Sequence, residues 1–248
     1  MSRNYELMQE RERDQSFFSP RIIEAAFPTP GEVGNREARR QLTSDLTLGL
    51  VQRIFLQRTQ EPPRMVVFAG IDHGNGCSRI AASVAESLAG NAPGTVCLVE
   101  ANFRSPALPM MLGTTNYHGL TDALLEEGPI RPFMKRVCSE SLWLLSSGPL
   151  AGDSPNLLTS ERMKARSTEL RKAFDFVIVD APPMTRYADA IVLGQLSDGV
   201  VLVLEAEYTR REAARIAVES LRSSGIQVLG AVLNKRTFPI PEKIYNML

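Results

Sequence analysis

Residues 70–78 read Gly-Ile-Asp-His-Gly-Asn-Gly-Cys-Ser, between an apolar run and an alanine-rich stretch. Gly70, Gly74 and Gly76 followed by Cys77 and Ser78 follow the pattern G-x-x-x-x-G-K-[ST], with cysteine where the pattern has lysine. Glycines let successive amides turn inward around a phosphate, and the start of a helix adds partial positive charge. The lysine of such a loop is a point charge on the phosphates, and bonds of this kind contribute about 1.5–3 kcal/mol each. Cys77 carries no such charge. Taken alone, the loop also fits a glycine-rich turn that binds nothing. Three further segments carry polar residues just past apolar runs: Val99 to Pro106 (VEANFRSP), Val177 to Pro183 (VIVDAPP) and Gly230 to Lys235 (GAVLNK).

The elements that must position these residues are legible as periodicities. MVVFAG (65–70), TVCLVEA (95–101), SLWLLSSG (141–148), FDFVIVDAPP (174–183), DGVVLVLEA (198–206) and IQVLGAVLNK (226–235) read as strands. Leu42, Leu46, Leu50, Ile54 and Phe55 recur at helical spacing before Pro62 and Pro63. Further helices are expected over 79–90, 154–174 and 209–225. Apolar strands alternating with helices predict an α/β fold, mainly a parallel β-sheet flanked by helices on both faces. At 248 residues the chain is long enough for one such domain. Pro20, Pro28, Pro30, Gly31 and Gly34 make residues 1–34 a flexible N-terminal arm, leaving 35–248 as the domain.

Composition narrows the function classes. Lysine plus arginine (28) balances aspartate plus glutamate (28), so no global positive field would hold nucleic acid. No apolar run is long enough to span a membrane or act as a signal segment, and three widely spaced cysteines fit neither a disulfide framework nor a zinc site. A reduced cytoplasm is the expected compartment. Cys97 and Cys138 read as core residues. Cys77 reads either as a small loop filler or as an activated thiol at a helix start. His73 and His118 have no partner at metal-ligand spacing.

Taken together, the loop and the three segments resemble the bacterial tyrosine kinase family of capsule and exopolysaccharide export, P-loop proteins related to the MinD and ParA ATPases. The resemblance covers residues 37–235 and includes GLTDAL (119–124) and a glycine-proline element at Gly148 and Pro149 before Pro155 to Leu158. The family's PGEGKS is matched by His73, Gly74, Asn75, Gly76, Cys77 and Ser78, and its IDADLRRP by Val99 to Pro106. The resemblance implies a P-loop NTPase-like fold that binds ATP or ADP with Mg2+. It assigns the cofactor to Gly70, the run His73 to Ser78 and Arg79. It assigns the metal to Ser78, Asp180 and Glu100, and catalysis to Asp180, Glu100 and Asn102.

The departures from the family fall on the charges. Two aspartates of the second motif become Glu100 and neutral Asn102, and only Asp180 stands unchanged. Phosphoryl transfer relies on positioning and charge neutralisation, so losing the lysine and a carboxylate should cost several decades of rate. The C-terminal tyrosine cluster is reduced to Tyr245, and the E-x-x-R-x-x-R assembly pattern to Glu37 and Arg40, followed by Thr43. The first reading is a weak or inactive kinase acting as a regulatory or scaffold subunit. It would dock on a separate membrane polysaccharide co-polymerase, be peripheral at the inner membrane through that partner, and form homo-oligomers through the Glu37/Arg40 helix. The alternatives are an active autokinase in which Arg79 or Arg104 replaces the lysine, and a MinD/ParA-type ATPase.

Overall fold

A computed structural model describes residues 22–28, 36–56, 61–149 and 154–236. Eight strands form one sheet: β1 (Ile22–Pro28), β2 (Met65–Gly70), β3 (Val96–Glu100), β4 (Lys135–Arg136), β5 (Leu142–Leu145), β6 (Phe176–Ala181), β7 (Gly199–Glu205) and β8 (Val228–Arg236), in the order β1-β8-β7-β2-β6-β3-β5-β4. Among the described residues only the β4–β5 pair is antiparallel. The helices are α1 (Arg36–Ile54), α2 (Cys77–Asn91), α3 (Leu108–Met111), α4 (Leu120–Leu125), α5 (Ser154–Leu158), α6 (Glu161–Ala173), α7 (Asp189–Gln195) and α8 (Arg211–Ser223).

Strand alternation sorts the core into two layers. Met65, Val67 and Ala69 of β2 face a cluster with Leu170 of α6, Leu193 of α7 and Leu221 of α8. Val66 and Phe68 face the other side, against Leu50 and Ile54 of α1 and Ile80 and Val84 of α2. Central strands covered on both faces are nearly all apolar: β2 and β3 are buried at every position, and the one charged residue in them is Glu100 at the end of β3. Each large aliphatic or aromatic side chain so buried contributes about 1.5–3 kcal/mol.

The strand order decides which motifs meet. β6 lies between β2 and β3, and its register sets Asp180 beside Phe68 on one side and beside Glu100 on the other. The loop after β2 and the segment after β3 therefore flank the end of β6, at the carboxyl edge where parallel sheets bind ligands.

The structure departs from the sequence reading in several places. The sheet begins inside the stretch read as an arm, because residues 22–28 pair in parallel with β8. The helix expected over 154–174 is broken, since Ser160 caps α6 by accepting the Met163 amide at 3.2 Å. Cys138 is not a core residue: it is exposed, at φ 58° in the turn between β4 and β5. Glu37 and Arg40 lie on α1, but their side chains are outside the described residues, as is Tyr245.

The segment GLTDAL packs against the glycine-proline element through backbone contact. Leu120 and Thr121 donate to the Ser146 and Ser147 carbonyls at 2.7 and 2.9 Å, and a Cβ at Gly119 would run into the Ser146 carbonyl oxygen. Gly119→Ala is expected to destabilise the fold by about 1–3 kcal/mol, read as a lowered melting temperature. An unchanged melting point would show that the two loops can separate at no cost.

Candidate functional site

The loop between β2 and α2 is held open by its own side chains and by the neighbouring strands. Asn75 is 2% exposed; its amide donates to the Val203 carbonyl of β7 at 2.7 Å and accepts from the Cys77 amide at 3.3 Å. The Asn234 side chain donates to the Asn75 carbonyl at 2.7 Å, and Lys235 donates to the Gly74 carbonyl at 2.9 Å while pairing with Glu205 at 3.0 Å. On the other flank Met184 and Thr185 donate through their amides to the carbonyls of Gly70 and Ile71. Asn234 and Lys235 belong to a segment that the sequence marks without giving it a role. Their part follows only from β8 running two strands away from β2.

Counting back from Ser78 places Ile71, not Gly70, at the first glycine of the G-x-x-x-x-G-K-[ST] pattern, since five residues separate Gly70 from Gly76. Gly70 is needed for another reason. A Cβ there would overlap the Asn75 amide, which fills the space beneath the loop. Gly76 caps α2 at φ 84° and ψ 21°, a left-handed conformation in which a Cβ would also meet the Asn234 amide.

The result is a cleft of about 260 Å³ lined by Gly70, by every residue from His73 to Arg79, and by Asp72, Asn102, Ser105, Ala107, Met111, Ala181 and Pro183. All the residues expected to hold a nucleotide thus share one wall. Arg79 is exposed there and, among the described residues, makes no hydrogen bond or ion pair. Arg104 is committed elsewhere: it stacks on the Tyr187 ring at 3.9 Å and approaches Asp189 at 3.5 Å.

The three acidic-motif positions separate. Asn102 reaches the cleft, its side-chain oxygen accepting from the Ser105 amide at 3.3 Å. Glu100 is fully buried and turned away. One of its oxygens accepts from the Ala107 and Leu108 amides at 2.5 and 2.8 Å, at the start of α3, and the other from the Ser147 amide at 3.4 Å. Burial raises its pKa and these bonds lower it, with a net upward shift. Asp180 is also fully buried, and neither of its oxygens has a hydrogen-bond partner among the described residues. Burial lifts its pKa to about 7; the facing Ser78 hydroxyl and Cys77 thiol pull it down, and Glu100 pushes it up.

Cys77 is 8% exposed. Burial, and then the nearby Asp180, hold its thiol well above the ordinary value, against the pull of the Gly70 backbone. This is the environment of an unreactive filler, opposite to that of an activated thiol.

Magnesium, which the resemblance implies, can be tested against these residues. It needs near-octahedral oxygen ligands, with one or two carboxylates among them. Of Ser78, Glu100 and Asp180, only Ser78 lines the cleft. Glu100 has its oxygens on three backbone amides, and Asp180 lies beneath the wall. The residues present do not fit the ion.

The buried, unpartnered Asp180 links stability to pH. Its pKa is about 7 in the folded chain, against 3.8 ordinarily, so the folded chain keeps a proton that the unfolded chain releases between those values. Stability therefore falls as pH rises through that window and stays low above it. Asp180→Asn is expected to raise stability at about pH 8 by roughly 3 kcal/mol more than at about pH 4.5, measured by denaturant melts. An equal change at both pH values would show that Asp180 is already neutralised by a partner.

No family model matches the chain. Among curated proteins, the tyrosine-protein kinase YwqD of Bacillus subtilis is 35% identical over 161 residues, which are 65% of this chain and 68% of that protein. The succinoglycan biosynthesis transport protein ExoP of Rhizobium meliloti is 30% identical over 175 residues, 69% of this chain but 22% of ExoP. Among solved structures, the chimerical protein CapA2B2 superposes with a TM-score of 0.80 at 23% identity, covering 92% of this chain and 99% of that one. YwqD is matched over more than two thirds of its own length, and CapA2B2 has the same fold. The chain belongs to the bacterial tyrosine-protein kinase family of capsule and exopolysaccharide export.

Proposed function

We propose that this chain is a nucleotide-binding regulatory or scaffold subunit of a polysaccharide export system, with phosphoryl transfer lost or nearly so. The observation that carries the reading is the floor of the cleft. Where a loop of this kind sets a lysine, an uncharged thiol stands against a buried carboxylate that has no partner among the described residues. A transferring phosphoryl group needs fixed positive charge around it, and the charge of a lysine or metal in such sites is worth orders of magnitude in rate. Among the described residues the lysine bonded to the loop is Lys235, which holds the Gly74 carbonyl and is paired with Glu205. The turn itself is intact, so backbone amides remain available to phosphate oxygens.

An active autokinase is the second reading, and Arg79 on the cleft wall is the observation that favours it. The two separate in one experiment. Full-length protein incubated with ATP and Mg2+ is expected to show no phosphotyrosine above background by immunoblot, and Cys77→Lys alone is expected to stay silent because Asn102 and Glu100 are unchanged. Phosphotyrosine that disappears in both Arg79→Ala and Asp180→Ala would establish the autokinase.

A scaffold needs something to hold. The family resemblance and the likeness to one part of ExoP support a membrane polysaccharide co-polymerase on a separate chain as the partner. Among the described residues no helix is long and apolar enough to cross a membrane. Expressed without a co-polymerase, the chain is expected in the supernatant after ultracentrifugation, and with its partner in the membrane pellet. Pelleting in both cases would remove the docking partner from the proposal.

A further inference from the structure

We propose that the cleft takes its nucleotide as the metal-free diphosphate, held by the loop amides and Arg79, with no magnesium between ligand and protein. This rests on the nucleotide-binding reading above and sharpens it to the form of the ligand.

Glu100 is the only carboxylate of the second motif. Its two oxygens accept from three backbone amides, Ala107, Leu108 and Ser147. Ala107 and Leu108 open α3, which has no other side-chain cap, and Ser147 belongs to the loop packed on α4. Glu100 could turn toward a metal only by leaving all three donors unpaired in a buried place.

The remaining oxygens do not compensate. Asn102 offers a neutral amide oxygen already bonded to Ser105. Asp180 is enclosed beneath the loop, with Cys77 and Ser78 facing it. The one carboxylate on the cleft wall is Asp72, and it is held by the Thr209 hydroxyl at 3.1 Å. Among the described residues no three His, Cys, Asp or Glu side chains gather where a metal ion could sit.

Charge then selects the ligand. Without lysine or metal the loop offers amide dipoles, the α2 N-terminus and one guanidinium, while Asp72 opposes any anion. Each added phosphate brings more negative charge against this fixed supply, so a triphosphate gains less than it loses. Arg79, exposed on the wall, offers the planar donor geometry that suits phosphate oxygens.

The test is a calorimetric titration of the full chain with ADP and with ATP, each in EDTA and in excess Mg2+. ADP affinity is expected to agree within about threefold between the two buffers and to exceed that for ATP. Arg79→Ala should weaken ADP about tenfold or more in both buffers, and Asp72→Asn should strengthen it in both. Glu100→Gln, which keeps the acceptor for the α3 amides, should leave the comparison between buffers unchanged. Magnesium tightening ADP or ATP about tenfold or more, with the gain removed by Ser78→Ala, would overturn the inference while leaving nucleotide binding in place. No binding in either buffer would overturn both.

Discussion

The site depends on one buried amide. Asn75 fills the space that a Cβ at Gly70 would occupy, reaches across to the Val203 carbonyl, and accepts from the amide that opens α2. Asn234 and Lys235 then bind the backbone of the same turn, so the loop is held in shape with no lysine at position 77. Each of these bonds exchanges for water on unfolding and contributes only about 0.5–1.5 kcal/mol. Their value lies in direction: together they fix the path of the turn along one cleft.

Beneath that turn lies a buried carboxylate. Such a group is tolerable if a cation or several donors meet it, and Asp180 has no cation beside it among the described residues, only the facing Ser78 hydroxyl and Cys77 thiol. The chain relieves the cost by shifting the pKa of Asp180 upward and by placing an uncharged thiol beside it. Cys77 stands where the resembled loop has lysine, and Glu100, where the resembled motif has aspartate, has its carboxylate on the amides that open α3.

The scaffold around the site is conservative by contrast. Two apolar layers clamp the sheet, and short backbone contacts join the α4 segment to the Ser146 to Gly148 loop.

Much of this was legible in the residues themselves. Apolar runs ending in glycine or an acidic residue announced parallel strands, since a strand covered on both faces is apolar over nearly all its length, and the loop glycines announced a tight turn between strand and helix. The short elements were not legible. β1 lies among prolines and glycines, and α3 and α4 are too brief to show a period. Nor was the role of Asn234 and Lys235, which stand more than 150 residues from the loop they hold. Glu100 shows the limit most clearly. The family resemblance implies a metal ligand there, and only the tertiary structure, by setting the amides that open α3 beside its carboxylate, shows where its oxygens are bonded.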